Sequence, residues 1–136
     1  MTTTTQQQEF KAIVPMTFTQ QQIKDLLCCG MEGGIGYWAV IVAYEPEGVC
    51  DQDDVEFPHL DVPFLDGGCI IMQVTDSGPD ETPESLVLDR EALQRGSQVM
   101  AEKYPRHMAS LVNDNTDSET GDVFIQCCVL GEIIYS

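Results

Sequence analysis

Eight consecutive residues, Tyr37-Trp38-Ala39-Val40-Ile41-Val42-Ala43-Tyr44, are aromatic, β-branched or alanine, and none is charged. Gly36 stands before them and Glu45-Pro46-Glu47-Gly48 after them. A run so short and so sharply punctuated reads as a strand, because these residue types fit a pleated, packed surface. Its uninterrupted apolar character makes it the expected central strand of a sheet. Alternation then puts Trp38, Val40, Val42 and Tyr44 on one face and Tyr37, Ala39, Ile41 and Ala43 on the other. The bulkier set is expected to face the helices.

The flanking segments supply partners. Phe10 to Phe18 alternates loosely and contains Pro15, so it is expected to be a short edge strand or an extended lead-in. Thr19-Gln20-Gln21-Gln22 has the form of a capping box opening a helix, with Ile23, Leu26, Leu27, Gly30 and Met31 along one stripe. Gly33-Gly34 would end that helix in the left-handed conformation. Cys69 to Thr75 and Ser85 to Leu88 read as two further strands. Asp89 is the expected N-cap of a helix ending near Lys103, with Ala92, Leu93, Gly96, Met100 and Tyr104 inward. Pro105 begins a short helix with Met108, Leu111 and Val112 inward, and Asn113-Asp114-Asn115 breaks it. Thr116-Asp117-Ser118-Glu119 forms a second capping box for a last helix, with Val123, Phe124, Cys127 and Leu130 inward and Gly131 at its end. The order implies an α+β fold: a small antiparallel sheet of three to four strands, with about four helices on one face. Residues 1–9 are expected to be a disordered tail. Residues 10–136 are expected to form one domain, with acidic loops at about 45–68 and 76–84.

Charge is unevenly placed. Among 136 residues, twenty-three acids oppose six bases, a formal net charge of −17. No Lys or Arg occurs between Leu26 and Asp89, a stretch holding fourteen of the acids. Such a field repels phosphates, which argues against direct nucleic-acid or anionic-membrane binding, and it speeds encounter with a basic partner. Asp51, Asp53, Asp54, Glu56, Asp61 and Asp66 are therefore the candidate partner-binding residues. The competing explanation is that the charge serves solubility alone. No apolar run reaches the roughly 20 residues of a membrane span. The Thr/Gln-rich start lacks the features of a signal peptide, so the expected compartment is the cytoplasm.

Chemistry-bearing motifs are sparse. The six cysteines include two adjacent pairs, Cys28-Cys29 and Cys127-Cys128, but no Cys-x-x-Cys, so reduced and mostly buried thiols are expected, with no metal and no cofactor. Asp51-Gln52-Asp53-Asp54 starts like a calcium loop, yet Glu56 stands at the turn position and Val62 at the last ligand position. Gly33-Gly34-Ile35-Gly36 lies between helix and strand, the reverse of a phosphate cradle, and no base follows it. It remains a candidate ligand turn, with Gly34, Gly36, Tyr37 and Trp38 as possible pocket residues beside the last helix. His59 and His107 lack ligand-spaced partners and read as surface residues. No catalytic motif is legible.

The segments Glu32-Gly33-Gly34-Ile35-Gly36-Tyr37-Trp38, Met100-Ala101-Glu102-Lys103-Tyr104-Pro105-Arg106-His107, Asp122-Val123-Phe124-Ile125-Gln126 and Gly131-Glu132-Ile133-Ile134-Tyr135 together resemble a family of small acidic, uncharacterised proteins of bacteriophages and prophages. The resemblance leaves the acidic middle uncovered and implies no catalytic residue. It implies a mobile-element accessory protein acting in a bacterial host cytoplasm. The leading expectation is a non-enzymatic binder that inhibits a host protein, such as a defence component, through its acidic surface, with imitation of DNA as one form. The alternatives are a small-ligand, nucleotide-type binding or sequestering protein and an unrecognised enzyme.

Overall fold

In the computed structural model, which describes residues 8–75 and 84–136, Thr19 caps the first helix as its sequence requires. Its hydroxyl accepts from the Gln22 amide at 3.1 Å, and the Gln22 side chain accepts from the Thr19 amide at 2.9 Å. Helix α1 runs Gln20–Cys29 and buries Ile23, Leu26 and Leu27. It does not end in a left-handed glycine. It passes into one wide π turn, Gly30–Gly34, in which no glycine has positive φ. Gly34 is needed there for space: a Cβ on it would lie 3.2 Å from the Asp122 Cβ and against the Ser118 carbonyl.

Strand β1 is Ala39–Glu45, β2 is Cys69–Val74 and β3 is Ser85–Leu88, forming an antiparallel sheet in the order β1-β2-β3. Ala39 pairs with Val74 and Glu45 with Cys69, with a bulge between Ile41 and Ala43; Ile70 pairs with Leu88 and Gln73 with Ser85. The fold class is thus α+β with helices on one face. Two expectations about β1 are corrected. It is an edge strand, and β2 is the central one. Val40 and Val42 are exposed on the open face, while Ala39 is buried and Ile41 and Tyr44 pack on the core. The bulge adds one residue, so Tyr44 turns inward with the smaller set before it. Trp38 is fully buried, but from the turn before β1.

No strand forms between β1 and β2. That segment holds a 3₁₀ turn at Val49–Asp51, the short helix α2 at Pro58–Asp61 and a 3₁₀ turn at Val62–Phe64. The expected acidic loop at 76–84 falls almost wholly outside the described residues, as does most of the expected N-terminal tail.

Helix α3, Arg90–Lys103, has Asp89 as N-cap, accepting from the Ala92 amide at 2.9 Å. Helix α4, Pro105–Val112, buries Met108 and Leu111 but leaves Val112 exposed, against expectation. Helix α5, Ser118–Val129, is capped by Asp117 rather than Thr116, through the Thr120 amide at 2.9 Å. Every residue from Thr120 to Cys128 is buried. A helix buried all round must let its neighbours come close, and glycines allow it. On one side Gly121 meets Gly30, where a Cβ on Gly121 would fall 2.7 Å from the Leu26 carbonyl. On another, Gly96 of α3 meets Cys128, with a Cβ placed 2.9 Å from the Cys128 Cα. Gly131 ends α5 as expected, and does so in the left-handed conformation, at φ 79. Among the described residues, no helix is long and apolar enough to cross a membrane.

Candidate functional site

Burying α5 carries Asp122 and Gln126 inside with the apolar residues, and a buried carboxylate is costly without hydrogen bonds. They lie one helical turn apart on the same face, so Asp122 reaches the turn before β1 and Gln126 the chain after α5. Trp38 Nε1 donates to Asp122 Oδ1 at 2.7 Å, Tyr37 Oη donates to Oδ2 at 2.6 Å, and Gln126 Nε2 donates to Oδ1 at 3.0 Å. The Gln126 amide also donates to the Tyr135 carbonyl at 2.9 Å and accepts from the Ile134 and Tyr135 amides at 2.8 and 2.9 Å. Tyr135 stacks on Trp38, with ring centroids 5.1 Å apart and planes at 10°. Two polar side chains thereby fasten the C-terminal segment to the core.

Beside this network opens a cleft of about 530 Å³, lined by Gly33, Gly34, Tyr37, His107, Glu119 and Asp122, with Val123, Ile133 and Tyr135 as apolar wall. Half of the Tyr37 side chain is in solvent, while its hydroxyl turns into the cleft wall. Burial of that end and the Asp122 carboxylate push the phenol up to about 12, so it remains a donor at neutral pH. Glu119 lies in the first turn of α5. The cleft therefore offers carboxylates and a phenol, one imidazole, and no Lys or Arg.

Of the expected pocket residues, Gly34 and Tyr37 line this cleft. Trp38 lies beneath it, held by Asp122 and Tyr135, and Gly36 is exposed away from it. Asp122, Glu119, His107, Val123, Ile133 and Tyr135 are among the lining residues absent from the expected pocket set. For Asp122 the signal was an acid and an amide four residues apart, bracketing the apolar run Val123-Phe124-Ile125.

The acidic candidates divide. Asp51, Asp53, Asp54 and Glu56 are exposed, and none has an ion-pair partner among the described residues. Asp61 is instead structural: it takes Lys24 Nζ at 2.7 Å and the amides of Glu56 and Phe57 at 2.9 Å each. Burial opposes its ionisation, but those donors outweigh it and hold the carboxyl below its usual range. Asp66 pairs with Arg90 at 2.8 Å in a separate cleft of about 380 Å³ at the start of α3. The bases do not converge: Arg95 donates to the Cys128 carbonyl, Lys103 reaches the Gly131 carbonyl, and Arg90 holds Phe64 and Asp66.

One thiol meets a histidine and an acid. Cys28 Sγ donates to Glu32 Oε2 at 2.7 Å, and His59 Nε2 lies 3.3 Å from the same oxygen. The carboxylate stands between thiol and imidazole, so the imidazole is not aligned to take the thiol proton. The Glu32 hydrogen bond and burial push this thiol up to about 11, which suppresses a nucleophilic thiolate. All six cysteines are free; only Cys127 and Cys128 are buried, and Cys50 is exposed. Burial pushes Cys127 up to about 12. Among the described residues, no group of three or more His, Cys, Asp or Glu is placed to hold a metal ion. Compared with known protein families, curated proteins and solved structures, the chain matches none.

Proposed function

We propose that this chain is a small-ligand binding protein whose ligand sits in the Tyr37–Asp122 cleft. The observation that carries the reading is the convergence of a phenol, two carboxylates and an apolar wall on one cavity of ligand size. The lining selects a flat-ringed ligand with hydrogen-bond donors, neutral or cationic. A nucleotide-type ligand fits by its base or sugar, because phosphates would meet Glu119 and Asp122 with no Lys or Arg in the lining. The phage-family resemblance supports sequestering of a host molecule in a bacterial cytoplasm as the setting.

The test is a titration followed by amide resonances, with tryptamine as cationic ring, adenosine as neutral ring and AMP as its anionic counterpart. Tryptamine and adenosine are expected to shift Tyr37, Glu119, Val123 and Tyr135, and AMP to bind more weakly than adenosine. Glu119→Gln should weaken tryptamine by up to about fivefold, the worth of one accessible charge pair. Unchanged cleft resonances with all three probes would sink the reading.

A second reading, a binder of a basic surface on a host protein, is favoured by one observation. Asp51, Asp53, Asp54 and Glu56 project from one short segment with no ion-pair partner among the described residues.

A further inference from the structure

Past Gly131 the chain is held by side chains. Among the described residues, 132–136 make no backbone–backbone hydrogen bond. The Ile133 amide donates to the Tyr104 hydroxyl at 2.8 Å, and the Ile134 and Tyr135 amides both donate to Gln126 Oε1 at 2.8 and 2.9 Å. The Tyr135 carbonyl accepts from Gln126 Nε2 at 2.9 Å. It also lies 3.1 Å from the Tyr37 hydroxyl, whose one proton goes to Asp122 at 2.6 Å. Ile133 and Tyr135 pack only in part on the core, and the Ile134 side chain stands in solvent. A segment with no ladder and few buried apolar groups opens at lower cost than the buried helix before it. Gly131, at φ 79, joins the two, and glycine reaches other backbone conformations without a steric penalty. The same segment walls the Tyr37–Asp122 cleft through Ile133, Tyr135 and Ser136.

We propose that residues 132–136 are a strap that swings on Gly131, and that a ligand in the cleft clamps it shut. The inference rests on the cleft being a ligand site. Opening hands the amides of Ile133, Ile134 and Tyr135 to water, so their hydrogen bonds are exchanged and not lost. What opening gives up is the stack of Tyr135 on Trp38, with centroids 5.1 Å apart, and the cover over the Gln126 amide. It also takes Ile133 and Tyr135 out of the apolar wall, leaving Val123. A ligand that touches those two residues binds the docked strap more tightly than the open one, and it shifts the equilibrium by that difference in affinity. Gln126 links the two parts. Its amide holds the strap by three bonds and Asp122 Oδ1 by a fourth at 3.0 Å, which uses all of its donors and acceptors. The acid that lines the cleft and the wall that moves are joined through one side chain.

Amide hydrogen exchange of the full chain, free and with tryptamine or adenosine, tests hinge and clamp separately. In the free protein the Ile133, Ile134 and Tyr135 amides are expected to exchange at least about a hundredfold faster than those of Phe124 and Ile125, after correction for intrinsic rates. Equal protection would mean that the strap opens only when the whole molecule unfolds, which overturns the hinge. Tyr104→Phe removes one acceptor of the strap from outside the cleft lining. It should speed strap exchange about two- to tenfold, the net worth of one hydrogen bond, and an unchanged rate would overturn the side-chain clasp. Whichever probe shifts the cleft resonances should, at about ten times its Kd, slow the strap amides about tenfold. A probe that binds in the cleft and leaves strap exchange unchanged overturns the clamp. If no probe binds, the cleft reading falls and takes the clamp with it, whereas slow exchange in the free protein sinks the hinge whatever the probes do.

Discussion

At the residue scale, a buried polar contact ties the turn before β1 to α5 inside an apolar core. Trp38 is fully buried, donates to Asp122 and carries the Tyr135 ring. Trp38→Ala should destabilise the fold by about 3–5 kcal/mol, the range for emptying a large aromatic site. Trp38→Phe keeps most of the ring packing but strips a donor from a buried carboxylate, so about 1–3 kcal/mol is expected from that loss alone. The midpoints of chemical denaturation should fall in the order wild type, Trp38→Phe, Trp38→Ala. If Trp38→Phe melts with wild type, the Asp122 contact contributes nothing and packing alone holds the turn. The burial of Trp38 was legible in the sequence; its partner was not. Periodicity assigns apolar residues to the interior and has no means of pairing Asp122 with a tryptophan eighty-four positions earlier. Only the spacing of Asp122 and Gln126 pointed to a buried polar pair, and it says nothing of what fills the other side.

At the scale of elements, the packing of α5 turns on small residues rather than large ones. The glycine pair Gly30 and Gly121 sets how closely α1 and α5 cross, and Gly96 against Cys128 does the same for α3. Alanine is better than glycine within a helix by roughly 1 kcal/mol, so Gly121→Ala would stabilise an isolated helix. Here its Cβ would press on the Gly30 nitrogen and the Leu26 carbonyl, which are backbone atoms and cannot rotate away. The helices must separate, and overpacking of this kind costs about 1–3 kcal/mol, enough to reverse the sign. Gly33→Ala is the control: a Cβ there meets nothing within 4 Å, and its melting temperature should stay near wild type while that of Gly121→Ala falls. A Gly121→Ala protein as stable as the control would mean that the crossing is loose. Element identity was otherwise well marked, because Thr19, Asp89 and Gly131 are local signals and each acts locally. Position in the sheet was not, because it depends on partners distant in sequence. The apolar run at β1 reads as a central strand, yet β1 is an edge with two valines exposed. Thr116 and Asp117 both fit a cap, and the choice falls to the carboxylate that meets the Thr120 amide.

At the scale of the whole molecule, the question is what a net charge of −17 is for, and the structure narrows where to ask it. Asp61 and Asp66 are engaged with Lys24 and Arg90, which leaves Asp51, Asp53, Asp54 and Glu56 as the exposed acids of the candidate face without ion pairs among the described residues. Exposed charges act over about 8–10 Å near physiological ionic strength. If these four recruit a basic host surface, association should slow steeply as salt rises. Replacing the three aspartates with asparagine and Glu56 with glutamine keeps the shapes and removes four charges. The variant should then lose on-rate toward its captured partner and flatten the salt slope, while its unfolding midpoint stays close to wild type because none of the four is buried. Stopped-flow or surface-capture kinetics across a salt series measures both quantities together. Imitation of DNA adds a further demand: duplex DNA must compete with the protein for the same partner, and the four-residue variant must compete less well. A variant with unchanged rate and unchanged salt slope would remove this segment from recognition. Solubility would then account for its charge.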